Sequence, residues 1–547
     1  MNVEYVDPLI GTVAMQGAYD ASSRMSNEMA LWSPPFMSAD AEILPEKQIM
    51  DSRVRDTLRN DALVQSGSTI QKDHIVGEMF MLNARPNFKY LGLDEVWAEE
   101  FQEETESKFT LYAESTKNYP DASRMQTLTG LVRLAVGIHT MAGEVLASVE
   151  WVRQITRPFS TAFQMIDLDR LSNPYGQPDT KFLRRGVVRD NYGAPVGYHV
   201  RNSHPTDWSD PDGFTWKYVP LTRGQVVGIP SWDRLQMIHI VDQWRPDQSR
   251  GIAMMVASLK EMKMTRKFRD VVLQNAVLNA SYAASIESDL PTDVVMQQAG
   301  GIDANAITSY ATNYLSAIAQ YTGSSRNFMI DGVKIPHFFP GTKMRLQNAG
   351  TPGGVGSGFE ESLLRYISAA LGVGYSELSK DYSKANYSNL RAELAQTDRR
   401  MRVQKRTVAD RFASTFYRLW LEEAINAGEI TTVSKKAPKW YDGMNAEAYS
   451  ACDWLGASKG QIDQLKETQA AVLRVNNGLG TLESELGALG MDWRAVLRQK
   501  AREKKMMDDL GLVFGQDASS KNMMNAASGT PSSTGDAPRS AVDEGNQ

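Results

Sequence analysis

The chain has one cysteine, Cys452, in 547 residues. An intrachain disulfide is therefore impossible, and so is a zinc site built on several cysteines. A single thiol fits a reducing compartment. No run reaches the ~18 uninterrupted apolar residues of a membrane span, so none is expected. The opening Met1-Asn-Val-Glu-Tyr-Val-Asp-Pro8 lacks a basic stretch followed by an apolar one, so no secretory signal is expected. Cationic excess is missing too. The formal net charge is −6 and the pI near 5.7. A tight, nonspecific DNA binder needs surplus Lys and Arg against phosphates, and this chain has none. The same balance is compatible with a protein that DNA slides past.

Nucleotide and catalytic motifs are also lacking. No G-x-x-x-x-G-K-[ST] sequence occurs, which excludes a P-loop motor. Gly353-Gly-Val-Gly-Ser-Gly358 has the spacing of a dinucleotide loop, but Thr-Pro precedes it and no βαβ alternation surrounds it. It reads as part of a flexible linker, Thr351–Gly358. The six histidines, His74, His139, His199, His204, His239 and His337, show no metal-ligand spacing. Asp167 and Asp169 alternate with apolar residues in an expected strand and would share one face. Paired carboxylates there can take Mg²⁺, but a solvated strand face is the ordinary explanation. No catalytic group, metal or cofactor is assigned, and the chain is not expected to be an enzyme.

What is present is folded-protein composition: 42% hydrophobic and 23% charged residues, enough for sizeable cores and roughly three or four domains by length. Its 26 methionines are mostly core fillers, though methionine also suits surfaces that repack. Residues 1–50 contain Trp32-Ser-Pro-Pro-Phe36, whose prolines forbid a continuous helix. They are expected to form an extended arm, lying on a neighbouring subunit or loosely ordered. Apolar spacing predicts helices over 51–76, 97–112 and 128–143. Texture then turns to strand from 144 to 245. It includes a hairpin within 185–200 around Asp190-Asn-Tyr-Gly193 and a strand within 231–241. The expected fold class is α+β.

A long helical zone follows over 250–281. Ala253, Val256, Leu259, Met262 and Phe268 supply its apolar face, and Lys260, Lys263, Arg266 and Lys267 a basic one. Such a face is usually solvated, and the sharper alternative is a surface toward phosphates. Another helix is expected over 304–321, then short strands over 333–346. Phe359–Leu371 is a strong apolar helix that stops at Gly372 and Gly374. A polar segment with Tyr375, Asp381, Tyr382, Ser383, Asn386, Tyr387 and Ser388 leads into a helix over 389–426, with Ser388 as its expected cap. Helices follow near 459–476, 482–489 and 493–508. Beyond Phe514 the composition predicts a disordered tail.

In order along the chain stand Leu31-Trp-Ser-Pro-Pro35, Arg55-Asp-Thr-Leu-Arg-Asn-Asp61, Asp73-His-Ile-Val-Gly77, Gly143-Glu-Val145, Asp169-Arg-Leu-Ser-Asn-Pro174, Gly197-Tyr-His-Val200 and Arg250-Gly251. Then come Leu363-Leu-Arg-Tyr-Ile-Ser-Ala-Ala-Leu-Gly-Val-Gly-Tyr375, Asn386-Tyr-Ser-Asn-Leu-Arg-Ala392, Trp420-Leu-Glu-Glu-Ala424 and Asp463-Gln-Leu-Lys-Glu467. In this ordered combination, over roughly 30–512, the chain resembles the portal proteins of tailed bacteriophages, specifically the lambda-like family.

The resemblance implies a non-enzymatic homo-oligomeric ring, usually of about twelve subunits, at one capsid vertex in the virion, assembled in the host bacterial cytoplasm. Double-stranded DNA would pass its channel without sequence specificity. The terminase large subunit, an ATPase, would dock during packaging, and head–tail connector proteins afterwards. Major capsid and scaffold proteins would be further partners, and no membrane. It implies an arm over 1–50, an α+β wing over 51–249, stem helices over 250–286 and 358–373, and a clip and linker over 287–357. A tunnel loop over 374–388, a long wing helix over 389–430, a helical crown over 431–514 and a tail over 515–547 complete the map. Lys260, Lys263, Arg266, Lys267, Lys380 and Lys384 become candidate DNA-channel residues. Gly372, Gly374, Tyr375, Asp381, Tyr382, Asn386 and Tyr387 become candidates for a hinge and tunnel loop. The alternative is another virion structural or DNA-packaging component, such as a terminase subunit.

Overall fold

The computed structural model describes residues 29, 31–222, 234–281, 312, 316, 328–330, 333–335, 352–434, 436–458, 460 and 463–512. For 275–281, 328–330, 333–335 and 352–357 only the backbone is described.

Along the chain run α1 (Ala39–Ile43), α2 (Lys47–Asn60), α3 (Ala62–Ile75), β1 (Met81–Ala84), α4 (Phe88–Leu91), α5 (Glu95–Ala113) and α6 (Leu128–Ala142). Strands β2 (Glu144–Trp151), β3 (Thr161–Met165), β4 (Leu183–Arg184), β5 (Val187–Arg189), β6 (Pro195–Arg201), β7 (Trp216–Pro220) and β8 (Met237–Val241) follow. Then come α7 (Leu259–Ser281), β9 (Phe328–Ile330), β10 (Val333–Ile335), α8 (Pro352–Leu371), α9 (Tyr375–Ser379), α10 (Tyr387–Gln404) and α11 (Arg411–Asn426). Helix α12 (Asn445–Tyr449), β11 (Cys452–Leu455), α13 (Gln464–Asn476), α14 (Leu482–Ala488) and α15 (Trp493–Leu510) complete the described chain. The mixture is α+β, as expected.

The chain divides into two compact units. The larger takes described residues up to Ser52, Ser66–Ala253 and those from Tyr382 onward. Its core is aromatic and centred on α11. Phe412, Phe416, Tyr417 and Trp420 are fully buried there, and Phe416 meets Phe163 of β3 edge-on with ring centroids 4.8 Å apart. Phe109 of α5 contacts Trp420 the same way at 5.0 Å. Such pairs add to the area they bury. Glu423, also on α11, accepts from the Ser160 and Thr161 amides at 2.6 and 2.9 Å, fixing the start of β3.

Two antiparallel sheets lie in this unit, one ordered β3-β2-β8 and one β4-β5-β6-β7. The expected hairpin is β5–β6. Asp190 Oδ1 accepts from the Tyr192 and Ala194 amides, and Gly193 takes the left-handed φ of +84° that the turn requires. A third pairing joins β1 to β11, Met81 opposite Leu455 and Ala84 opposite Cys452. The expected 431–514 crown is thus not wholly helical, because Cys452–Leu455 completes a sheet begun at Met81. The apolar residues of this short segment are too few for its period to show in the sequence.

The smaller unit takes Arg53–Gln65 and Met254–Asp381. In it α7 packs against α8: Phe268 lies edge-on to Phe359 at 5.6 Å, and Arg269 Nε donates to Glu360 Oε1 at 2.6 Å. Met255, Met262, Leu364, Ile367, Leu371 and Leu378 are buried there.

Several boundaries differ from expectation. The arm is shorter than 1–50, because α1 and the start of α2 fold into the larger unit with Ala39, Ile43 and Leu44 buried. Ser38 caps α1 after the prolines have ended their restriction. The helical zone from Arg250 begins with a 3₁₀ turn at Met254–Ser258, and Arg250–Gly251 is held instead by contacts to β2. The glycine-rich 351–358 is no linker, since α8 starts at Pro352. Proline suits a first helical turn, and helix continuity overrides the glycines' weak propensity. The helix over 389–426 contains a π turn at Lys405–Asp410, where Lys405 Nζ donates to Asp410 Oδ1 at 2.6 Å and to the Trp454 carbonyl at 2.9 Å. Asp167 and Asp169 are not on a strand. β3 ends at Met165, and Asp167 caps a 3₁₀ turn, accepting from the Asp169 amide at 3.0 Å. The helix expected over 304–321 falls on described residues only at Thr312 and Ser316, both helical. Most of the clip, residues 282–286 and the tail beyond 514 lie outside the described residues.

Candidate nucleic-acid interface

On α7 the four predicted cations fall on one side. At 100° per residue, Lys260, Lys263, Arg266 and Lys267 span an arc of about 120°, with buried Thr265 opposite and buried Met262 at the edge of the arc. All four are exposed, and none has an ion-pair partner among the described residues. Such a row can attract phosphates without gripping them, since water and salt screen exposed charges over about 10 Å.

The segment 374–388 is not one loop. Helix α8 ends in a left-handed cap: Gly372 has φ of +70°, its amide donates to the Ser368 carbonyl at 2.8 Å, and the Val373 amide donates to the same oxygen at 3.2 Å. Gly374 then precedes α9 with no side-chain cap, and Ser376, Glu377 and Leu378 are buried. Tyr375 is half-buried, with the Arg365 guanidinium 5.4 Å from its ring centre. Leu378, fully buried, draws this stretch into the core of the smaller unit, which a polar-composition reading misses. The irregular segment is only Lys380–Asn386. Lys380 sits in the left-handed region at φ of +57° and is exposed, as are Asp381, Tyr382 and Lys384. Asn386, not Ser388, caps α10, its Oδ1 accepting from the Asn389 amide at 2.8 Å. The shift by two residues also makes Tyr387 the first helical residue. Lys466 Nζ lies 5.6 Å from the Tyr387 ring centre. The structure thus groups the α7 cations on one face, whereas Lys380 and Lys384 belong to a separate short segment.

The strongest electrostatic feature went unpredicted. Glu144, fully buried at the start of β2, accepts from Arg250 Nε at 2.9 Å and from the Gly251 amide at 2.9 Å. Lys47 Nζ lies 3.3 Å from its Oε1, and His239 Nε2 lies 3.1 Å from its Oε2. Burial alone would raise this carboxyl, but Arg250, Lys47 and His239 hold it well below the usual range. Arg250 also donates to the carbonyls of Leu168, Leu171 and Arg185. Two glycines permit the approach. A Cβ on Gly251 would lie 2.2 Å from the Gly143 carbonyl oxygen, and one on Gly143 would lie 2.1 Å from the Ile252 carbonyl oxygen. The available signal was a glutamate placed directly before the apolar run Val145-Leu-Ala147, and the Arg-Gly pair far downstream.

Among the described residues, Asp167, Asp169 and His204 come within metal-holding distance of one another. Each already has a partner: Asp167 caps its turn, and His204 bridges Asp169 Oδ2 and Thr206 Oγ1 at 3.2 and 2.7 Å. This arrangement serves the local turn. No described helix is long and apolar enough to cross a membrane.

Comparison with known proteins shows the family. The portal protein B of Escherichia phage lambda is 33% identical over 487 residues, covering 89% of each chain. The portal protein of Escherichia phage N15 is 34% identical over 496 residues, 91% of each. A solved chain from the neck of a native gene transfer agent particle, computed with C12 symmetry, aligns at 13% identity with a TM-score of 0.35, covering 80% of this chain and 92% of that one. The family model described as phage portal protein, lambda family, matches residues 25–405. With that match over most of its length, the chain belongs to the lambda family of phage portal proteins.

Proposed function

We propose that copies of this chain form a ring of about twelve subunits at one capsid vertex, whose channel passes double-stranded DNA during packaging and ejection. The observation that carries this reading is the portal-family match over residues 25–405. The reading as a terminase subunit is dropped, because the relatives that match are portal proteins. In the proposed ring the role is mechanical rather than catalytic. The terminase large subunit docks on it during packaging and head–tail connector proteins later, with major capsid and scaffold proteins around it.

The electrostatics support a conduit. Each copy carries −6, so a ring repels DNA overall and does not hold its cargo. The α7 face with Lys260, Lys263, Arg266 and Lys267 supplies local attraction on the channel side, and Lys380 and Lys384 supply transient phosphate contacts. Helices α7 and α8 are the proposed stem, Gly372 and Gly374 its hinge, and Lys380–Asn386 the proposed collar with Asp381 and Tyr382 at its tip. Negative-stain microscopy of the purified chain tests the reading. Rings with a central hole are expected, and a chain that stays monomeric under all assembly conditions overturns it.

A further inference from the structure

Helices α13, α14 and α15 bury no residue at all. Yet their sequences are patterned to bury one face. On α13, Leu465, Val472 and Leu473 share a stripe, and Leu465 is 70% exposed. On α15, Trp493, Val496, Leu497, Lys500, Lys504 and Met507 recur at helical spacing on one face. Leu479, Met506 and Leu510 are exposed as well. Helices of 13 and 18 residues draw most of their stability from packing an apolar face rather than from propensity. On the α15 face Leu497 is exposed while Trp493, Val496 and Met507 are half-buried, and the exposed apolar residues of α13 and α15 mark a contact surface.

Charge names the occupant. Lys500 and Lys504, within the apolar face of α15, have no ion-pair partner among the described residues. Helix α5 presents the complement: Glu95, Glu99 and Glu100 are exposed, likewise without a partner among the described residues, and exposed Val96 lies beside them. The pairing chemistry already operates within one chain, where Arg498 Nη2 of α15 lies 2.8 Å from Glu103 Oε1 of α5. A foreign partner would match one of these surfaces. A second copy matches both, because each chain offers the lysine face and the carboxylate face. Contact between two different patches of identical chains is head-to-tail, the kind that closes into rings.

We propose that the apolar, lysine-bearing face of α15 docks on the carboxylate face of α5 in the next copy of this chain. The inference rests on the ring reading above and names the surface that would hold the ring together at this end. The test uses the full chain and charge exchange. Assembly is followed by sedimentation as a function of protein concentration for the wild type, for Lys500→Glu/Lys504→Glu, for Glu99→Lys/Glu100→Lys, and for the fourfold exchange. All four side chains are exposed, so the monomers should melt alike, and thermal unfolding verifies it. Each double reversal is expected to raise the concentration for half-assembly about tenfold or more, and the fourfold exchange to restore it. A wild type that never assembles overturns the ring reading itself. A wild-type ring that the double reversals leave unchanged, or that the fourfold exchange fails to rescue, overturns this surface alone. In that case a different protein covers α13–α15.

Discussion

Arg250 donates from Nε to both carboxylate oxygens of Glu144, at 2.9 and 3.1 Å, with both side chains buried. Lys47 and His239 complete the enclosure, so the carboxylate has no contact with water. Removing one partner leaves uncompensated charge in the interior. Glu144→Ala is expected to destabilise the chain by about 3–5 kcal/mol, and Arg250→Ala similarly. Urea unfolding followed by tryptophan fluorescence measures this. A change below about 1 kcal/mol would show that the network contributes no more than a surface pair.

The close backbone passage beside that network makes a second expectation. Gly251→Ala places a Cβ 2.2 Å from the Gly143 carbonyl oxygen, where neither backbone can yield freely. A loss of about 1–3 kcal/mol or more is expected. Gly358→Ala, where a Cβ meets nothing within 4 Å, serves as the control and should stabilise α8 slightly. Equal melting temperatures for both variants would contradict the passage.

Acid should weaken the larger unit through Glu104 as well as Glu144. Burial tends to raise Glu104, but the hydroxyl of Thr432, the Lys108 ammonium and the amides of Thr431 and Thr432 outweigh it and hold the carboxyl at about 2. The folded value is the lower one, so the contribution is complete above the ordinary 4.5 and is lost as pH falls toward about 2. Glu104→Gln should therefore be less stable than wild type at pH 7, and the gap should close between pH 5 and 2. A gap that stays constant across that range would refute the assignment.

The cap of α10 separates two neighbouring residues. Asn386→Ala is expected to cost about 1 kcal/mol and Ser388→Ala nearly nothing, since only Asn386 accepts from the helix. Calorimetry of both variants decides it, and the reverse order would return the cap to Ser388.

The cationic face of α7 carries the functional expectation. Replacing Lys260, Lys263, Arg266 and Lys267 together by Gln should leave stability unchanged, because all four are exposed. It should slow DNA packaging several-fold, with a larger effect at low salt, where screening is weaker. Heads that fill at the wild-type rate would remove α7 from the channel.

Much of the fold was legible because its signals are local. Helices α5 and α6, the β5–β6 hairpin and α13–α15 follow from apolar spacing, caps and a turn with Gly193 in its required conformation. The α7 cations also stood out, since four of them recur on one face. The misses have two causes. Asn386 caps locally, but the helix begins two residues before its expected start, whereas Leu378 takes its role from the packing around it and the glycines of 353–358 from the helix as a whole, which composition does not report. Lys47, Glu144, His239 and Arg250 are spread over two hundred residues, and only folding makes them neighbours. The β1–β11 pairing is invisible for the same reason.

That pairing also sets a timetable. Met81–Ala84 leave the ribosome early, but their partner strand Cys452–Leu455 is made some 370 residues later. At about 5–20 residues per second, β1 waits roughly twenty seconds to over a minute with an open edge. The aromatic helix α11 that fills the same unit arrives only shortly before the partner strand. The larger unit therefore cannot close this sheet until late in synthesis, and β1 presents an unpaired edge until then.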